Sequence, residues 1–224
     1  MSNVVHPKQT LDDALWRTIT YRLVNSIPAF EAVGGVAPRH DRGLMIATMR
    51  SKGVVLNSPA YITLPRPHGP SYHNRVDRLE AILNFLNLEF DGLVYSIQEA
   101  KTLEEISSCL KHLYGIGPFL SLQIYRDLIG AKQIPFTAND WVEIGPGAKL
   151  TLLELYGDEA KSVSMQRGLA RYLTVVQEAA LYSRGWNEFE NVYLSICDIE
   201  HCLCEYGKYA KLVAGRGRRR YYRR

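Results

Sequence analysis

Cysteine is scarce in this chain: four residues in 224, with Cys109 alone and Cys197, Cys202 and Cys204 close together. So sparse a set cannot staple a chain of this length, which points to a fold held by its core and to a reducing, cytoplasmic setting. Long apolar runs are also missing. No segment reads as a bilayer span, and the opening MSNVVHPKQ has no signal-peptide pattern. No GxxxxGK[ST] occurs, which excludes a P-loop kinase. Metal-ligand spacing is absent from His40, His68 and His73. Cys197 and His201 would share a helix face that Cys204 does not, and structural zinc takes two separated ligand pairs, so no metal site is expected.

Net positive charge is absent from most of the chain. The net charge is +4, yet residues 205–224 carry eight Lys/Arg and one acid, or +7, which leaves −3 for residues 1–204. The excess of cations therefore lies towards the tail, GRGRRRYYRR, with six arginines in its last nine residues. Such a segment lacks a core of its own and suits phosphates. Arg216, Arg218, Arg219 and Arg220 are the candidate DNA contacts, and Tyr221 and Tyr222 can stack on bases. The alternative is a solvated terminus that aids solubility. With 46% hydrophobic and 22% charged residues the remainder can bury a sizeable core. The expected organisation is one helical domain over residues 1–214, at most two lobes, followed by a disordered basic tail at 215–224. A monomer is expected.

Helical spacing dominates. Thr10 opens a first helix whose Leu15, Ile19 and Leu23 share a face. Glu31 to His40 reads as a loop, Leu44 to Met49 as a short helix, and Val54 to Pro70 as extended chain with four prolines. That last stretch is either a short hairpin or a loop carrying Tyr61, Arg66 and His68 towards a substrate. Ser71 is expected to start a long helix through Leu86, with a shorter one after Asp91. Thr102 to Glu105 is a capping box. A further helix spans Ser164 to Ser183, and Trp186 begins the last, running to about Lys211. On that last helix Ile196, Ile199, Leu203 and Tyr206 form an apolar stripe. Asp198, His201, Cys202, Glu205, Lys208 and Tyr209 form a polar one beside it. The polar stripe is either a site wall or a surface of i,i+4 pairs.

The chain is organised around Leu113–Asp140. In GIGPF, Gly115 and Gly117 bracket Ile116 and permit a turn that a Cβ would obstruct. Pro118 suits the first turn of the next helix, where Leu120, Ile124 and Leu128 mark a buried face. A hairpin of this kind presents backbone N–H groups at a helix start, where they can grip a nucleic-acid phosphate. Asp140 follows Gly117 by 23 residues. Next comes Gly145-Pro146-Gly147-Ala148-Lys149, read as a loop whose N–H groups and lysine suit a phosphate or pyrophosphate, or else as a plain helix start.

LYGIGP resembles the helix-hairpin-helix of DNA glycosylases similar to endonuclease III, in which a catalytic aspartate follows the hairpin at a comparable distance. Phe119 stands where lyase-type members carry a lysine, and the cysteine set of the iron–sulfur members is missing. GIGPFLSLQIYRDL, NDWVEIGPGAKLTL and DIEHCLCEYGKY resemble the helical phage-type enzymes of thymine hypermodification. These are the α-glutamyl/putrescinyl-thymine pyrophosphorylases, or amino acid:DNA transferases, and the likeness covers roughly residues 10 to 212. It implies an all-α, glycosylase-like helix-hairpin-helix fold. The implied reaction joins an amine or amino acid to the 5-methylene carbon of phosphorylated 5-hydroxymethyluracil in DNA, in a phage-infected host's cytoplasm. A YRxxN pattern recurs near the start of that family, so Tyr21, Arg22 and Asn25 are candidates to line the site, with a polar helix rim as the alternative.

The attacking amine must be neutral, so a carboxylate is needed: Asp140 first, Glu143 or Glu205 second. Lys149 with Gly145 and Gly147 would stabilise the leaving oxygens. Asp198, His201, Lys208 and Tyr209 complete the candidate substrate site. Trp141 and Tyr114 are candidates to receive a flipped base. No motif requires a redox cofactor, and a divalent cation would have to bind without one. A glycosylase and an idle DNA-binding module are the competing classes.

Overall fold

The computed structural model describes residues 10–57, 64, 74–183 and 194–216. Among these the chain forms nine α-helices with two single 3-10 turns, and no strand occurs. Its contacts divide it into two compact units, one up to Phe136 and one over Thr137–Arg219.

The first unit holds α1 (Leu11–Val24), α2 (Ile27–Val33), α3 (Arg42–Ser51), α4 (Arg75–Glu99), α5 (Leu103–His112) and α6 (Pro118–Gly130). Thr10 caps α1 by accepting the Asp13 amide, and Asn25 ends it in the left-handed region at φ 44°. Leu15, Trp16, Ile19 and Leu23 are fully buried, and α1 packs on α4 and α6. Trp16 sets its ring edge-on to Phe90 of α4 at 5.4 Å and donates its indole N–H to the Ala37 carbonyl. The stretch read as a loop from Glu31 is still helix to Val33, because Ser26 caps α2 and Pro28 suits its first turn.

The long helix also departs from expectation. It starts at Arg75, capped by the Asn74 side chain, and runs unbroken through Gly92 to Glu99. One apolar stripe, from Val76 through Leu86 and Phe90 to Ile97, is buried along the whole length and outweighs one internal glycine. Thr102 and Glu105 make the reciprocal capping box of α5. The suggested Val54–Leu64 hairpin, with Tyr61, Arg66 and His68, falls mainly outside the described residues, as do Ser71 and Trp186.

The second unit holds α7 (Pro146–Tyr156), α8 (Val163–Ser183) and α9 (Ile196–Val213). The last helix begins at Ile196, because Ser195 and Asp198 close a capping box there. Helix α7 lies tightly along α9. Two glycines permit the approach: a methyl on Gly147 would lie 2.5 Å from the Cys204 thiol, and one on Gly207 would land on the Thr151 hydroxyl. Gly-Pro-Gly is therefore the first turn of α7, with Gly145 as its cap, and not a loop ahead of it.

Candidate functional site

The hairpin belongs to the first unit. Helix α5 stops at Leu113, whose extended backbone accepts the Ile116 amide at 3.1 Å. Gly115 takes φ +82°, the conformation for which glycine is required. Gly117 then caps α6, and a side chain there would meet nothing within 4 Å. Leu113 and Ile116 are buried beneath the turn while Gly117 and Pro118 face solvent. Ser107 and Ser121, both fully buried, share a hydrogen bond of 2.9 Å that holds α5 to α6. The turn is thus a surface feature with the start of α6 facing outward.

Tyr21, Arg22 and Asn25 lie in the same unit, and each has work in the fold. Tyr21 stacks on Phe30 with centroids 5.6 Å apart. Arg22 grips both oxygens of Asp127 at 2.7 and 2.6 Å, tying α1 to α6. Asn25 supplies the left-handed helix end.

The second unit carries the candidate acids. Residues 137–145 form a strap tied to α8 and α9. The Asn139 side chain accepts the Ile196 amide, the Trp141 carbonyl accepts the Cys197 thiol, the Val142 carbonyl accepts Arg167 Nε at 2.9 Å, and the Gly145 amide donates to Glu200 at 3.0 Å. On this strap Asp140 is exposed and its carboxylate accepts the Thr137 amide at 2.7 Å. One oxygen is thus held in place while the group stays open to solvent. Arg171 of α8 reaches the backbone carbonyl of Asp140 at 3.4 Å, which ties α8 to the strap at this residue.

Glu143 is placed differently. Only 3% exposed, it accepts the Trp141 indole N–H at 3.2 Å and faces Arg167 at 3.4 Å. Arg167 also lies 3.8 Å above the Trp141 ring centre, covering one face of that indole. A carboxylate so enclosed sets the strap's shape and is poorly placed to meet a substrate amine. Glu200, at 1% exposure, is the buried acid that sequence reasoning passed over. Its place one residue outside the polar stripe gave no signal, because periodicity marks a face and not a partner.

The Gly145–Lys149 segment offers less to a phosphate than its sequence suggests. Glu200 occupies the Gly145 amide, Gly147 packs on Cys204, and Ala148 is fully buried. Lys149 is exposed on the first turn of α7. Along α9, Asp198 is engaged by Ser195, and the His201 ring meets the Cys197 carbonyl at 2.9 Å. Glu205 and Lys208 pair on the surface, and Tyr209 is exposed. Burial pushes the Cys202 and Cys204 thiols up from their ordinary values, Cys202 further through the Asp198 charge, so neither is an activated nucleophile. Among the described residues no group of three or more His, Cys, Asp or Glu side chains is arranged to hold a metal ion, and no helix is long and apolar enough to cross a membrane. Of the tail arginines, Arg216 lies among the described residues; Arg218, Arg219 and Arg220 lie outside them.

Fold and site together define an all-α protein with its polar chemistry on a short strap and a surface hairpin. The chain belongs to the family of the 5-hmdU DNA kinase helical domain, whose model matches residues 1–218. That places it in a helical family of hydroxymethyluracil DNA modification, in line with the thymine-hypermodification resemblance; the family description names a kinase and no amine transfer. No curated protein and no solved structure matches the chain.

Proposed function

We propose that this chain is a DNA base-hypermodification transferase. In this reading a small amine or amino acid attacks the 5-methylene carbon of (pyro)phosphorylated 5-hydroxymethyluracil in DNA. A C–N bond forms, the C–O bond to the phosphate breaks, and (pyro)phosphate leaves with the electron pair. The proton lost by the amine goes to Asp140. The observation that carries the reading is the Asp140 carboxylate, anchored by the Thr137 amide yet exposed, with Arg171 bonded to the main chain of the same residue. A group held in one orientation and open to substrate suits a general base. Arg171 and the exposed Lys149 are the cations suited to the leaving oxygens. The family supports the substrate class.

A second reading follows from the family's description: the chain presents hydroxymethyluracil DNA for phosphorylation. The absence of a Walker motif from all 224 residues means that a P-loop would have to come from other sequence.

One experiment separates these. The protein is incubated with DNA bearing 5-hydroxymethyluracil, plain or phosphorylated, together with ATP or an amine mixture, and the DNA is digested and its nucleosides weighed. Amine transfer yields a heavier nucleoside from phosphorylated DNA with an intact backbone. A glycosylase leaves abasic sites that break in alkali, and a kinase consumes ATP on the plain substrate. Asp140→Asn should keep fold and DNA binding and lower amine transfer roughly a hundredfold, the scale for losing a general base. Full activity in that variant would remove Asp140 from the mechanism.

A further inference from the structure

The first unit contains a cavity of about 390 Å³ whose lining includes, of the residues singled out from the sequence for a base or substrate, Tyr114. Its size is that of a small-ligand pocket. Ile19 of α1 and Ile82 of α4 give it an apolar floor, and Glu89, His112, Phe85 and Tyr114 stand around it. Two features set its occupant. Phe85 is 55% exposed and Tyr114 37% exposed, so two aromatic rings are kept in contact with water at its mouth. Tyr114 and Ile116 also belong to the glycine hairpin, so the cavity opens where the start of α6 faces outward.

We infer that this cavity takes an unstacked nucleobase of the DNA strand whose backbone the hairpin holds. Bases stack on aromatic side chains whatever their identity, and two exposed rings over an apolar floor offer that surface. Glu89 is an acceptor for the ring N–H of a thymine-type base. Glu89 beside the cavity disfavours a bare phosphate there, which belongs at the hairpin. The base held here need not be the one that reacts. The inference rests on the DNA-handling part of the proposed function and is independent of Asp140.

The test uses the full chain and an oligothymidylate carrying one 2-aminopurine, whose fluorescence falls on stacking. Wild-type protein should bind it and quench the signal. Phe85→Ala removes an exposed ring and spares the core. It should bind about tenfold more weakly and lose the quench, within the range for one stacked base. Phe85→Tyr should restore both. An abasic oligomer of equal length, which keeps the phosphates, should bind wild type and Phe85→Ala alike. Three outcomes would overturn the inference: wild-type protein that does not bind the oligomer, Phe85→Ala that binds and quenches as wild type does, or an equal loss on the abasic strand. Full amine transfer in Asp140→Asn, or none in the wild type, would overturn the transferase reading and leave these readings untouched, so the two ideas fail separately.

Discussion

At the scale of single residues, one side chain often answers two descriptions, and the structure decides by showing what else it touches. Arg22 was a candidate for the substrate site from its place in a YRxxN pattern. In the structure it makes a two-point pair with Asp127, and the side chains are 12% and 20% exposed. Breaking such a pair leaves one charge poorly solvated. Asp127→Asn should therefore cost about 2 kcal/mol, below the fully buried case, and lower Tm by roughly 5 °C. Arg22→Lys should also destabilise, because an ammonium cannot span both carboxylate oxygens. The double variant should be no worse than the larger single effect, since the interaction can be lost only once. Chemical denaturation of the four proteins checks this, and unchanged stability in Asp127→Asn would return Arg22 to the substrate site. Asp140 is singled out in the sequence by its distance from the hairpin, and the structure adds that it is exposed. Glu200 was not, because its partner, the Gly145 amide, is 55 residues away in sequence.

Among elements, legibility follows the physics of each signal. Helices with a clean apolar stripe and a capping residue, such as α1, α5 and α6, stand out in the sequence because those features are local. The start of α9 was missed by ten residues because Trp186 resembles a beginning, whereas the Ser195–Asp198 box is the actual stop on fraying. The α7–α9 contact could not be read at all: glycines at 147 and 207 look like breakers until their neighbours are known. Gly207 is buried against Thr151, whose hydroxyl donates to the Leu203 carbonyl at 2.9 Å and lies 3.2 Å from that of Gly147. That hydroxyl is fixed, so Gly207→Ala must push the helices apart and should cost about 2 kcal/mol despite the better helix propensity of alanine. Thr151→Ala removes the obstacle and should cost about 1 kcal/mol through its hydrogen bonds. Combined, the two should be less destabilising than their sum. Thermal melts of the set test the contact; strict additivity would mean that the helices are not held at this point.

On the scale of the whole molecule the governing fact is where the charge sits. Residues 1–204 sum to −3, so this part of the chain has no net charge to draw a polyanion, and the last twenty residues supply +7. The proposed function calls for two kinds of DNA contact, and they differ in how they respond to salt. Arginines of the terminal GRGRRRYYRR that neutralise phosphates release counterions, which makes affinity fall steeply with ionic strength. On the proposed reading the hairpin would hold phosphate through backbone N–H groups of fixed geometry and the cavity beside it would hold a base by stacking, contacts that depend little on salt. Deleting residues 215–224 should therefore weaken DNA binding most at low salt and flatten the plot of log affinity against log salt by nearly one unit for each arginine engaged. The position-dependent part should survive: the truncated chain should still quench 2-aminopurine at saturating protein, and Phe85→Ala should still abolish that signal. Titrations at several salt concentrations with both lengths of chain measure the two contributions separately. An unchanged slope would make the tail a solubility extension and would leave the hairpin and the exposed cations of the described surface to carry the whole of DNA binding.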